Sequence, residues 1–109
     1  LCLSAREFSS ALAHIKVAAI PEWVGRGADA TTHFFEHAEH KLCAIVCLSE
    51  SCRGRSAVEV AGLLVHEAVH VWQHHARDIG ESHPGDEQEA YAIQHIAQEL
   101  MTEFARRMS

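Results

Sequence analysis

The segment from residue 56 to residue 78 constrains the fold more than any other part of the chain. Ser56 and Glu59 have the spacing of a capping box, so a helix is expected to begin there and to continue to about Asp78. Apolar side chains occupy nearly all sides of this helix before Gly80 interrupts the pattern. A helix that is apolar nearly all round is expected to be buried at the centre of the fold.

A first helix and a β-hairpin are expected ahead of this central helix. Ser4 and Glu7 again have capping-box spacing, and the helix that they begin is predicted to end near Lys16. Residues 31–37 and 41–48 are rich in β-branched, aromatic and apolar side chains, which favours two strands. The polar residues between them, 38–40, are expected to form the turn, and residues 49–55 a loop.

A last helix is expected from Asp86 to about Arg107, because apolar residues recur there at intervals of three and four. The chain has 109 residues and contains no linker or internal repeat. It is therefore expected to form a single domain over residues 1–109. The order of helix, β-hairpin, helix and helix predicts an α+β fold.

Charge and hydropathy exclude two classes of partner. The net charge is −6, and no cluster of Lys and Arg is large enough to form a nucleic-acid surface. No apolar stretch reaches the length of about 20 residues that a membrane-spanning helix needs. The chain is therefore expected to bind neither nucleic acid nor membrane. It begins without Met, so it is read as a possible fragment or as a chain that has lost a leader.

The four cysteines are expected to be buried, reduced thiols. Cys43 and Cys47 would lie about 13 Å apart on one strand, which is too far for a disulfide. Cys47 and Cys52 could meet across a turn. No second closely spaced pair completes a structural zinc site. Reduced thiols favour a cytoplasmic location.

The chemical signal lies on the central helix, where residues 66–70 read His-Glu-Ala-Val-His and match the pattern H-E-x-x-H. His66 and His70 are four residues apart, so both imidazoles can bind one ion, Zn²⁺, from one face of the helix. Glu67 is rotated away by about 100° and can accept a proton from a metal-bound water without being a ligand. Two imidazoles buried in an apolar helix would also need such an ion as a polar partner.

Catalytic zinc requires a third protein ligand, and Glu89 is expected to supply it. Glu89 lies on the apolar stripe of the last helix and should point inward, whereas Glu87, the second choice, aligns with a polar face. His83 is the third choice. A different role for Glu89 is a capping box with Asp86. His74 would lie about 12 Å along the axis from His66 and is too far away to share its ion.

Tyr91 and His83 lie near the start of the last helix and could donate hydrogen bonds to a tetrahedral oxyanion. Tyr91 is therefore predicted to be catalytic. The alternatives are an ordinary phenol on the helix surface for Tyr91 and a solvated loop residue for His83.

Residues 66–73, His-Glu-Ala-Val-His-Val-Trp-Gln, and the later Glu89-Ala90-Tyr91 resemble the short gluzincin-type zincins. These include small uncharacterised metallopeptidase-like proteins of bacteria and phages, and the resemblance covers roughly residues 56–100. It implies a minimal zincin-like fold in which a second helix supplies the Glu ligand. It also implies that a peptide or protein substrate pairs with a sheet edge, here strand 31–37 or 41–48.

Three functions follow from these residues. The first is a zinc-dependent metallopeptidase with Glu67 as general base. The second is a non-catalytic zinc-binding regulatory or interaction module, which would have four protein ligands. The third is a helical interaction domain without stoichiometric metal, because ten histidines in 109 residues raise the chance of an accidental motif. The oligomeric state is not predicted.

Overall fold

The computed structural model describes residues 1–18, 21–36, 42–81, 83 and 85–108. Its elements, in chain order, are helix α1 (Ala5–His14), strands β1 (Ala30–Glu36) and β2 (Leu42–Leu48), a 3₁₀ helix (Glu50–Gly54), and helices α2 (Ala57–Asp78) and α3 (Asp86–Met108). The α+β class and the order of the elements are confirmed. The segment expected as a loop contains the 3₁₀ helix. The predicted turn at 38–40, with the strand ends at His37 and Lys41, lies outside the described residues.

The chain divides into two compact units, residues 1–55 and residues 56–109. The first unit holds α1, the two strands and the 3₁₀ helix, and the second holds α2 and α3. A single domain over residues 1–109 stays a prediction. No helix in the described part of the chain has both the length and the apolar character needed to cross a membrane.

The core of the first unit lies between α1 and one face of the hairpin. The two strands pair antiparallel, in a register that runs from Ala30 opposite Leu48 to Glu36 opposite Leu42. Phe8 and Leu12 of α1 are buried in a cluster with Ile45 and Cys47 of β2. Because side chains alternate along a strand, Ile45 and Cys47 point to the same face, which is the face that α1 covers.

Both predicted N-cap serines form the expected hydrogen bond to the residue three positions later. The Ser4 hydroxyl accepts a hydrogen bond from the Glu7 backbone N–H at 3.1 Å, and the Ser56 hydroxyl accepts one from the Glu59 N–H at 3.2 Å. The Ser56 hydroxyl also donates to Glu59 Oε1 at 3.1 Å. These bonds satisfy N–H groups that the first helical turn leaves without a partner, which is why α1 and α2 begin where the sequence predicts.

The helices α1 and α2 end in the same local conformation. At the end of α2, Gly80 has φ 73° and the Glu81 N–H donates to the Ala76 carbonyl at 2.8 Å. At the end of α1, Lys16 has φ 61° and the Val17 N–H donates to the Leu12 carbonyl at 2.9 Å. Both are Schellman motifs, in which a left-handed residue stops the helix. Gly80 is a glycine, so the sequence indicates this helix end. The end of α1 at His14 has no such sequence signal, because the left-handed residue there is Lys16.

The expectation that α2 is buried on all sides is wrong. One side carries the buried residues, Val60, Leu64, Glu67, Ala68, Trp72 and Ala76. The opposite side carries polar residues at intervals of three, four and seven, namely Glu59, His66, His70, Gln73 and Arg77, all of them exposed. Between the two sides, Val58 is 82% exposed. Although α2 is mostly apolar in composition, its exposed polar residues form one stripe along the helix. Helix α3 packs against α2 in this unit.

Replacing Gly80 with Ala is expected to lower the free energy of unfolding by about 1 kcal/mol, because a Cβ is disfavoured at positive φ. A Cβ at Gly80 would meet no atom within 4 Å, so the loss would come from the backbone conformation alone. Urea denaturation followed by circular dichroism measures the change.

The matched control is Gly62→Ala, at an exposed position inside α2 where a Cβ also meets nothing within 4 Å. Its backbone is helical, so the substitution should raise the free energy of unfolding by about 0.5–1 kcal/mol. Equal effects of the two substitutions would contradict the left-handed stop at Gly80.

Candidate metal centre

His66 and His70 lie on the exposed side of α2 with their rings close together. The two Nε2 atoms are 3.2 Å apart, and the ring centroids are 4.8 Å apart with an angle of 76° between the planes. Two ligand atoms of a tetrahedral zinc ion, each at about 2.0–2.1 Å from the metal, are separated by about 3.3 Å. The separation therefore suits two ligands of one ion. It is also short enough for one neutral imidazole to donate a hydrogen bond to the other.

Glu67 completes a group of three residues that could hold a metal ion. Its Oε2 atom lies 4.0 Å from His66 Nε2, and the potential ligand atoms of His66, Glu67 and His70 all lie within 4.8 Å of one another. A separation of 4.0 Å is too long for a hydrogen bond, so the carboxylate is not held directly on the imidazole. The arrangement brings together two nitrogen donors and one carboxylate on a single helical turn.

The burial of these residues is the reverse of the sequence prediction. The side chain of His66 is 68% exposed, whereas Glu67 is 4% exposed. A rotation of about 100° per residue carries Glu67 towards the buried side of α2 that also holds Leu64 and Ala68. The two imidazoles therefore do not need a metal ion as a polar partner, since water reaches them. The desolvated group is the carboxylate.

A buried carboxylate is costly unless polar groups surround it. In the described part of the chain, every buried side-chain nitrogen or oxygen has a hydrogen-bond partner. Glu67 is accordingly accommodated inside the fold, at the border between the buried side of α2 and the exposed histidines. Burial also restricts the rotamers that its side chain can adopt.

Glu89, the predicted third ligand, is hydrogen-bonded to Trp72. The indole Nε1–H of Trp72, which is buried, donates to Glu89 Oε2 at 2.9 Å. Trp72 is six residues after His66, a rotation of about 240° around α2, and so lies on another side of the helix. The structure does not bring Glu89 into the group formed by His66, Glu67 and His70.

The sequence analysis missed the bond between Trp72 and Glu89. A buried Trp usually finds an acceptor for its N–H, and that requirement could have indicated an acidic partner on the neighbouring helix. Glu89 is exposed rather than inward-pointing as predicted, although its carboxylate accepts a hydrogen bond from the buried indole. Its backbone N–H donates to the Gly85 carbonyl at 2.9 Å, so Gly85, and not Asp86, precedes the first turn of α3.

The remaining candidates are solvent-exposed. Tyr91 is 67% exposed, and Glu87 and His83 are also exposed. None of the three belongs to the metal-capable group found among the described residues. Their predicted roles, Tyr91 as an oxyanion donor and Glu87 or His83 as an alternative ligand, remain predictions. His74 also lies outside the group, in agreement with the distance expected along the helix.

One concave feature of this unit lies away from His66 and His70. An apolar groove with a volume of about 330 Å³ runs between α2 and α3, and it is lined by Val60 and Leu64 together with Met101 and Phe104. Val60 and Leu64 are on the buried side of α2, opposite His66. The side chains that line the groove are apolar, so it contributes no acid, base or metal ligand.

Removing the Glu89 carboxylate is expected to destabilise the protein whether or not metal is present. Glu89→Ala would leave the buried indole N–H of Trp72 without its acceptor, at a cost of about 1–2 kcal/mol in the free energy of unfolding. Glu87→Ala, an exposed neighbour on the same turn, is the control and should change it by less than about 0.5 kcal/mol. Urea denaturation in EDTA measures both, and equal stabilities would mean that the bond contributes nothing.

Comparison with known proteins identifies no significantly similar protein. No protein-family model matches the chain, and no curated protein or solved structure is significantly similar to it. The case for a metal centre therefore rests on the side chains of residues 66–70 and their geometry.

Proposed function

We propose that this protein is a zinc-dependent metallopeptidase. In this proposal His66 and His70 bind Zn²⁺, Glu67 is the general base, and the substrate is a peptide or protein. The observation that carries it is the 3.2 Å separation of two imidazole nitrogens beside a buried carboxylate. The resemblance of residues 66–73 and 89–91 to gluzincin-type zincins points to the same chemistry.

Each side chain has a defined task. Zinc, when bound, lowers the pKa of a coordinated water to about 7 and polarises the substrate carbonyl. Glu67 accepts the proton of the attacking water and then delivers it to the leaving amine. Its burial suits this task, because a carboxylate held in place needs little reorganisation during the reaction. The two histidines lie on one rigid helix, which keeps their nitrogens at a fixed separation.

We propose Glu89 as the third ligand, with Glu87 and His83 as the alternatives. Metal-bound carboxylates are usually oriented by a second hydrogen bond, and the donation from Trp72 to Glu89 Oε2 is a bond of that kind. Binding through Glu89 requires its side chain to approach the histidine side of α2. Tyr91 is proposed to stabilise the oxyanion, and its exposure leaves the phenol accessible to a substrate.

The second candidate is a non-catalytic zinc-binding module. The observation that favours it is the exposure of His66, since two imidazoles on an outer helical face can share an ion with ligands from another protein. The two functions differ in the role of Glu67, because only the peptidase requires this carboxylate as a general base. For either function we propose a cytoplasmic location, because the four cysteines are thiols.

Metal binding is tested by titrating the metal-free protein with zinc in a calorimeter. The wild type should bind one equivalent, and His66→Ala and His70→Ala should each weaken binding by about 100-fold or more, since each removes a ligand. His95→Ala is the control, because His95 is an exposed histidine of α3 paired with Glu99 at 3.2 Å. Absence of stoichiometric zinc in the wild type would favour an accidental motif.

Catalysis is tested with Glu67→Gln, which keeps the shape of the side chain and removes its basicity. Hydrolysis of unfolded protein substrates by the zinc-loaded protein should fall by about 10²–10⁴-fold, while the zinc content stays unchanged. Glu99→Gln, at an exposed position of α3, should keep full activity. A wild type that binds zinc and cleaves none of these substrates would support the non-catalytic module instead.

A further inference from the structure

Cys2 and Cys47 lie directly opposite each other in the first unit, joined by an isolated parallel β-bridge. The Cys2 N–H donates to the Val46 carbonyl at 2.8 Å, and the Leu48 N–H donates to the Cys2 carbonyl at 3.0 Å. These two bonds flank Cys47 on β2 and fix the position of Cys2 along the strand. The pairing is one that the spacing of the cysteines in the sequence does not reveal.

The two thiols share one environment. Residues that face each other across a β-bridge have side chains on the same side of the sheet. Cys2 and Cys47 are both buried, and both belong to the cluster that contains Phe8, Leu12 and Ile45. Neighbouring strands lie about 4.7–4.9 Å apart, which is within the range of about 4.4–6.8 Å that disulfides span between Cα atoms. At this general strand spacing, the Cα atoms of two paired cysteines fall within the range that a disulfide can bridge.

Neither of the other cysteines is placed to compete for Cys47. Cys43 lies on the same strand four residues earlier, about 13 Å away along β2. The Cys52 thiol donates to the Asp29 carbonyl at 3.6 Å, and Cys52 is not part of the cluster that holds Cys47.

We propose that Cys2 and Cys47 are a redox-sensitive pair that forms an intramolecular disulfide when the protein meets a small disulfide oxidant such as oxidised glutathione. One cysteine thiolate attacks the oxidant, forms a mixed disulfide and releases one molecule of reduced glutathione. The second cysteine then displaces a second molecule of reduced glutathione and closes the protein disulfide. Two protein thiols are oxidised and one glutathione disulfide is reduced, so electrons and protons balance.

Access to these buried thiols comes from local opening of the segment that carries Cys2. The bridge to β2 consists of two backbone hydrogen bonds, and such short pairings open at a lower free energy than a complete strand pair. The disulfide then closes a loop from residue 2 to residue 47 that contains α1 and β1. A cross-link over so long a loop restricts the unfolded chain, so oxidation should stabilise the first unit.

The experiment incubates the folded protein, residues 1–109, with oxidised glutathione and blocks the remaining thiols with iodoacetamide. The disulfides are then mapped by mass spectrometry after non-reducing digestion. We expect a linkage between Cys2 and Cys47, with Cys43 and Cys52 alkylated after unfolding. The urea midpoint should rise on oxidation and return to its original value with dithiothreitol.

The matched variants are Cys43→Ser, which keeps the pair, and Cys2→Ala, which removes it. Cys43→Ser should retain both the linkage and the rise in midpoint, whereas Cys2→Ala should lose both and leave Cys47 reduced or glutathionylated. The proposal is overturned if the wild type forms a link from Cys47 to Cys52, or only glutathione adducts, or if its midpoint does not respond to oxidation. Zinc plays no part in these measurements, so their outcome is independent of the metallopeptidase proposal.

Discussion

The second unit depends on the rotation of about 100° between successive residues of α2. This rotation separates a buried side, with Leu64 and Ala68, from an exposed side with His66 and His70. Glu67 lies at the border, and its carboxylate is withdrawn from water while the adjacent imidazoles are not. A metal site on such a helix is therefore accessible to solvent and to large partners, with a protected carboxylate at its edge.

The packing of α3 against α2 adds a second constraint. Trp72 of α2 is buried and needs an acceptor for its N–H, and Glu89 of α3 supplies one at 2.9 Å. The same carboxylate is the proposed third zinc ligand, so one side chain would have both a structural and a chemical role. A carboxylate has two oxygens, and a bond from Trp72 to one of them leaves the other for a cation.

The core of the first unit contains two buried cysteines, Cys2 and Cys47. Cys47 lies on the face of β2 that α1 covers, and the bridge to Cys2 adds a second thiol to the same apolar cluster. Buried thiols pack as small hydrophobic groups, which explains why the reduced form fits this core. Because the two lie opposite each other, the packing also places them where an oxidant could join them.

Local interactions determined what the sequence could predict by itself. The capping serines Ser4 and Ser56, the stop at Gly80 and the proximity of His66 to His70 involve residues at most a few positions apart. The relative positions of these residues follow from the regular geometry of a helix and from the hydrogen bonds at its ends. The existence of β1 and β2 followed from their β-branched, aromatic and apolar residues.

Only the tertiary structure decided which side of α2 faces solvent, which partner Glu89 contacts and which cysteine faces Cys47. An apolar helix of 22 residues offers several sides for burial, and the neighbouring elements select one of them. The contacts between Trp72 and Glu89 and between Cys2 and Cys47 join residues far apart in the chain. Periodicity describes one element at a time, so it cannot specify contacts that exist only after separate elements have packed together.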